Sequence, residues 1–295
     1  GLVGSEMCIR DSSESIRYYL HPIIARIFDI ILTLFLFSLA MIMTAGGAST
    51  IHESFGLPYW LSSLILVLVI LMTLFLKFER LITVLGMVTP FLVIVVSIIA
   101  IYYFITGDLN FSAANHFNKQ HQSLSLGWWF DGLNYASLQI AAAFSFLSVM
   151  GGRMQHRQSG LWGGLIGGII ITLLLLMINF GLVTEFEHIQ SVALPTLLLA
   201  SHISPLLGTV MSIIMVLVIY NTIVGLMYAF ASRFTEPFSK GYFVLIIIMA
   251  IITFICTFIG FISLIGKVFP IMGLFGFILL IPILYQGFKH LIFSK

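Results

Sequence analysis

Runs of roughly twenty apolar residues, separated by short polar stretches, recur along the chain from Ile23 to Phe288. One of them reads "LIGGIIITLLLLMINFGLV" and carries no charge. A bilayer core needs roughly 20 such residues per helix, and within it every backbone polar group must be satisfied by the chain's own structure. The pattern therefore predicts an all-α integral membrane protein. Composition agrees, because 60% of the residues are hydrophobic and 8% charged, against about 25% charged in soluble domains. The net charge is only +2 and the basic residues are scattered, which gives no nucleic-acid surface. Of the two cysteines, Cys8 and Cys256, neither has a partner at disulfide or metal-site spacing.

Spans are expected at Ile23 to Gly47, Trp60 to Leu76, Leu81 to Ile105, Trp128 to Gly151, Gly160 to Val183, Leu206 to Ser232, Phe243 to Ile265 and Val268 to Phe288. That makes about eight. The segment "ALPTLLLASHISP" is too short to cross and reads as a helix in or on the outer face.

Lys and Arg concentrate in cytoplasmic loops. Arg17, Arg26, Lys77, Arg80, Arg153, Arg157, Arg233, Lys240, Lys289 and Lys295 fall on one side of these spans, Lys119 and Lys267 on the other. Both ends of the span region are therefore expected in the cytoplasm, with His52, His116 and His188 outside. The opening "GLVGSEMCIRDS" is polar, lacks an initiator Met and resembles a translated sequencing-adaptor remnant, so residues 1–12 are expected to be a non-native leader. Residues 13–295 then form a single transmembrane domain. Its first span enters from the cytoplasm, which fits zero or two missing upstream helices.

The stretches "RIFDIILTLFLFSLAMIMTAGGASTIHESFGLPYWLSSLI", "LITVLGMVTPFLVIVVSIIAIYYF", "LNYASLQIAAAFSFLSVMGG" and "SVALPTLLLASHISP" resemble the YkvI-like family of bacterial membrane proteins. That family belongs to the amino acid, polyamine and organocation transporter superfamily. The resemblance implies a LeuT-like inverted-repeat helical bundle of ten helices, of which helices 3 to 10 are visible here. On that mapping residues 13–127 hold the remainder of the first repeat and an outer loop, and 128–295 the second repeat. It further implies that the helix from Trp128 to Gly151 is discontinuous, since the first helix of each repeat unwinds around substrate.

Polar groups in hydrocarbon are costly and usually face an interior or a water-filled path. Asn134, Tyr135, Ser137 and Gln139, ahead of Ala141 to Ala143, are the candidate solute-binding residues. The competing reading is an intact helix whose polar residues bond to neighbouring helices. Positions 134 and 137 share a face, whereas 139 reaches the same place only if the helix unwinds. No Gly or Pro lies between Gly132 and Gly151 to cause that.

In the sixth span, the resemblance places Asn221 and Thr222, beside Tyr220, at a cation site, and oxygen ligands suit a hard cation such as Na+. The competing reading is local, with the Thr222 hydroxyl bonded one turn back. Asp131 reads as a helix-start residue beside the interfacial Trp128 and Trp129. Asp29 has Arg26 as its nearest partner in sequence. Gly160, Gly163, Gly164, Gly167 and Gly168 read as a close-packing face. Pro90 is a kink position.

No enzyme motif is present, neither a nucleophile elbow nor a zincin pair nor a phosphate loop. The expected function is secondary transport of a small polar or zwitterionic solute, amino acid-like, by ion-coupled alternating access. Na+ is preferred over protons because the span centres lack Asp, Glu, His and Lys. The alternative is a non-transporting small-molecule receptor or signalling subunit on the same fold. Either would reside in the plasma membrane, with no cofactor beyond the ion.

Overall fold

The computed structural model describes residues 22–75, 88–107, 127–153, 157–185, 192, 194–236 and 238–293, which are helical apart from turns and short connections, with no strand among them. In chain order the helices among these residues are α1 (Pro22–Phe55), α2 (Tyr59–Phe75), α3 (Val88–Thr106), α4 (Trp128–Arg153), α5 (Arg157–Thr184), α6 (Pro195–Ile203), α7 (Pro205–Phe234), α8 (Lys240–Thr257) and α9 (Phe261–Phe293). The leader 1–12, Arg17, Lys77, Arg80, the loop with His116, Lys119 and His121, His188 and Lys295 lie outside the described residues.

Among the described residues, five helical segments are long and apolar enough to cross a membrane: Asp29–Phe55, Gly160–Thr184, Pro205–Phe234, Lys240–Thr257 and Phe261–Ile278. The chain is thus a helical membrane protein. Two expected spans are shorter apolar helices, Tyr59–Phe75 and Pro90–Thr106. The 17 residues of α2 rise only about 25 Å at about 1.5 Å each. The expected outer-face segment is the short helix α6, which starts on Pro195, where a missing N–H leaves no intrahelical bond unmade.

The boundary between the last two spans differs from expectation. The N–H groups of Phe258, Ile259 and Gly260 each donate to the carbonyl three residues back, and Gly260 sits at φ +89°. α8 thus ends at Thr257 with Phe258 as its cap, and the left-handed glycine just beyond turns the chain into α9. Gly266 and Lys267, read from sequence as the connection, lie inside α9, with Lys267 exposed. One lysine at a helix surface leaves the backbone ladder intact, so charge marked the wrong position. At the other end of α8, the Ser239 hydroxyl accepts from the Tyr242 N–H at 3.2 Å and caps the helix.

The chain forms two compact units, neither a continuous stretch. One comprises Gly1–Ile42, Leu124–Arg153 and Gly225–Lys295. Its main helix contact is α4 against α9, and Tyr242 is fully buried with its ring 6.1 Å from that of Tyr228 and 5.6 Å from Phe238. The other comprises Met43–Ser123 and Met154–Val224. There α3 packs on α5, and α6 touches both. Tyr103 of α3 donates its hydroxyl to the Leu199 carbonyl of α6 at 3.3 Å, and Phe104 meets Phe180 edge-on.

The glycine face expected to pack along α5 is open. Among the described residues no neighbouring atom lies within 4 Å of where a Cβ would stand at Gly163, Gly164, Gly167 or Gly168. Spacing alone identifies a face able to pack closely; it does not choose the helix that meets a partner.

Candidate functional site

α4 is one continuous helix from Trp128 to Arg153, so the break implied by the family resemblance is absent. The physical reason is the missing breaker: between Gly132 and Gly151 every residue can hold helical geometry. At about 100° per residue, Asn134, Ser137, Leu138 and Ala141 fall on one side and Tyr135 with Gln139 on another. Burial follows that division. Ser137, Leu138 and Ala141 are buried, Asn134 is half-buried, and Tyr135 and Gln139 are exposed. The four expected solute-binding residues therefore form two pairs rather than one cluster.

The inner pair reaches α9. Asn134 Nδ2 donates to the Pro270 carbonyl at 3.2 Å. Ser137 Oγ lies 2.6 Å from the Gly273 carbonyl and 2.8 Å from that of Asn134, sharing one proton between them. Small residues on α9 permit the approach. A Cβ at Gly273 would strike the Asn134 amide, and one at Gly276 would come within 2.5 Å of the Ser137 carbonyl oxygen. Among the described residues Asn134 Oδ1 is buried with no hydrogen-bond partner. The outer pair is self-contained, with Gln139 Nε2 donating to the Tyr135 hydroxyl at 3.2 Å.

In the second unit, Asn221 and Thr222 are half-buried on α7. Thr222 Oγ1 donates to the Val218 carbonyl at 2.8 Å, the local bond that the sequence leaves open. Its proton is spent there, and its lone pairs remain. Tyr220 hydrogen-bonds through its hydroxyl to Thr73 of α2, whose Oγ1 also lies 2.8 Å from the Val69 carbonyl. Sequence reasoning missed this link, because two hydroxyls 147 positions apart give no local signal.

Asp29 pairs with Arg233 rather than with Arg26. Arg233 Nη1 lies 2.9 Å from Asp29 Oδ1, 3.3 Å from the Asp29 carbonyl and 3.1 Å from Thr33 Oγ1. The Arg233 side chain is 9% exposed and that of Asp29 45%. Burial explains the choice: Arg26 is exposed and stays hydrated, whereas the guanidinium inside unit one requires a carboxylate. Asp131 lies in the first turn of α4, where its charge complements the helix dipole. Glu185 and His202 approach to 3.3 Å, joining the end of α5 to α6.

Among known proteins the chain is similar to the uncharacterized protein YyaD of Bacillus subtilis (strain 168), with 23% identity over 270 residues, covering 91% of this chain and 77% of the relative. No protein-family model matches. No solved structure matches.

Proposed function

We propose that the chain is a multi-pass secondary transporter of a small polar or zwitterionic solute, amino acid-like, in a bacterial plasma membrane. Its ends are cytoplasmic, alternating access on a LeuT-like bundle moves the solute, and a Na+ gradient drives it. One observation carries the reading: among the described residues Asn134 places a buried, unpartnered acceptor beside a donor at the contact of α4 with α9. Polar groups that persist in hydrocarbon usually face an interior or a water-filled path, and an acceptor left over there is free to take a solute's donor.

The bonds that Asn134 and Ser137 make are exchangeable. The Pro270 and Gly273 carbonyls stand inside α9, where each already has an N–H four residues on, so the side-chain bonds are surplus. Such interhelical bonds average about 0.6 kcal/mol in membrane bundles. A zwitterion would offer carboxylate oxygens to Asn134 Nδ2 and Ser137 Oγ, and its ammonium to Asn134 Oδ1. Asn221 and Thr222 would supply oxygens to Na+ in their own unit, with the Thr222 lone pairs available because its proton lies on Val218. Tyr135 and Gln139, paired on the other side of α4, would line the path only at its edge.

Equilibrium binding of a panel of radiolabelled amino acids to the purified protein, with and without Na+, tests the reading. Saturable binding strengthened by Na+ is expected. No binding across the panel would remove both transport and the receptor alternative for this solute class.

A further inference from the structure

We infer that α9 contains a hinge at the step from Gly266 to Pro270, and that Asn134 and Ser137 of α4 are its latch. Gly266, Gly273 and Gly276 of α9 divide into two kinds. Gly273 and Gly276 have a packing reason, because a side chain there would collide with Asn134 or with the Ser137 backbone. Gly266 has none among the described residues, since nothing of theirs lies within 4 Å of where its Cβ would be. Yet Gly266 is the position at which a proline four residues later acts. Pro270 has no N–H to give the Gly266 carbonyl, and its ring crowds that carbonyl. The missing bond and the least restricted residue type fall on one helical turn.

Immediately after that turn come the two contacts with α4, Asn134 to the Pro270 carbonyl and Ser137 to the Gly273 carbonyl. They fix the segment beyond the hinge, while the segment before it, from Phe261 to Ile265, begins at the left-handed Gly260. Loss of the two side-chain bonds would free the later segment to swing about the weak turn. Buried glycine contacts at 273 and 276 give it one packed position to return to. The inference does not depend on the identity of the solute or on transport.

Amide hydrogen exchange of the whole protein in lipid nanodiscs tests it, comparing residues 266–276 with the centre of α8, a span of the same unit without Gly or Pro after Gly241. Exchange at least about tenfold faster in the α9 segment is expected. Pro270→Ala should slow it by about tenfold or more. Gly266→Ala, placed in open space, should slow it by about twofold to fivefold and keeps the test valid should Pro270→Ala fail to fold. Ser137→Ala should speed it. Equal exchange in the two helices of the parent protein, or a Gly266→Ala profile identical to the parent's, would overturn the hinge.

Discussion

Asn134 and Thr222 illustrate how single polar side chains behave in an apolar helix. Each places a donor on a carbonyl, the first across helices and the second within its own turn. What each keeps is an oxygen with lone pairs, beside which Asn134 also has its second amide N–H. For Thr222→Val, which removes that oxygen at nearly constant volume, we expect little change in thermal stability and about a fivefold rise in the Na+ concentration needed for half-maximal solute binding, from about 1 kcal/mol lost. Unchanged Na+ dependence would return Thr222 to a purely local bond. Ser137→Ala removes the contact with Gly273. It should cost about 0.6 kcal/mol in stability and weaken solute affinity about fivefold, read from denaturation and binding isotherms of the same sample.

At the scale of helices, the close contacts decide which substitutions are tolerated. Gly273→Ala drives a methyl into the Asn134 amide, and overpacking of that sort costs about 1–3 kcal/mol. Gly164→Ala on α5 meets open space and should be neutral or stabilising by up to about 1 kcal/mol. The thermal unfolding midpoint should therefore fall for Gly273→Ala and hold or rise for Gly164→Ala, and matching losses would contradict the assignment of packing to α9. The α1 to α7 link is a second case. Asp29→Asn leaves the largely buried Arg233 guanidinium without a carboxylate. The loss should fall below the about 3–5 kcal/mol of a fully buried pair, because Asp29 is half-exposed and solvent screens it.

For the whole molecule, sequence periodicity revealed most of the helices but few of their meetings. Apolar runs located α4, α5 and α7 closely, since hydropathy is a property of the residues themselves, whereas α1 runs on to Phe55, past the expected end at Gly47. The turn at Gly260 was missed because a lysine near Gly266 imitates a loop, while left-handed backbone leaves no mark in hydropathy. Asn134 and Ser137 were legible as unusual polar residues. That they point at Pro270 and Gly273 was not legible, because the contact joins positions 136 apart in the chain. The same holds for Arg233 and Asp29, 204 apart.

Orientation is a property of this scale too. With Cys8 and Cys256 replaced, a cysteine at Phe55 should react with an impermeant thiol reagent in intact cells, and one at Glu236 only after permeabilisation, as the Lys and Arg distribution requires. The reverse pattern would invert the topology. The most direct measurement of the central claim is uptake of the bound amino acid into proteoliposomes under an imposed inward Na+ gradient. The account predicts accumulation above the outside concentration, abolished when the gradient is dissipated. Saturable binding with no uptake under any gradient would contradict transport and leave a receptor.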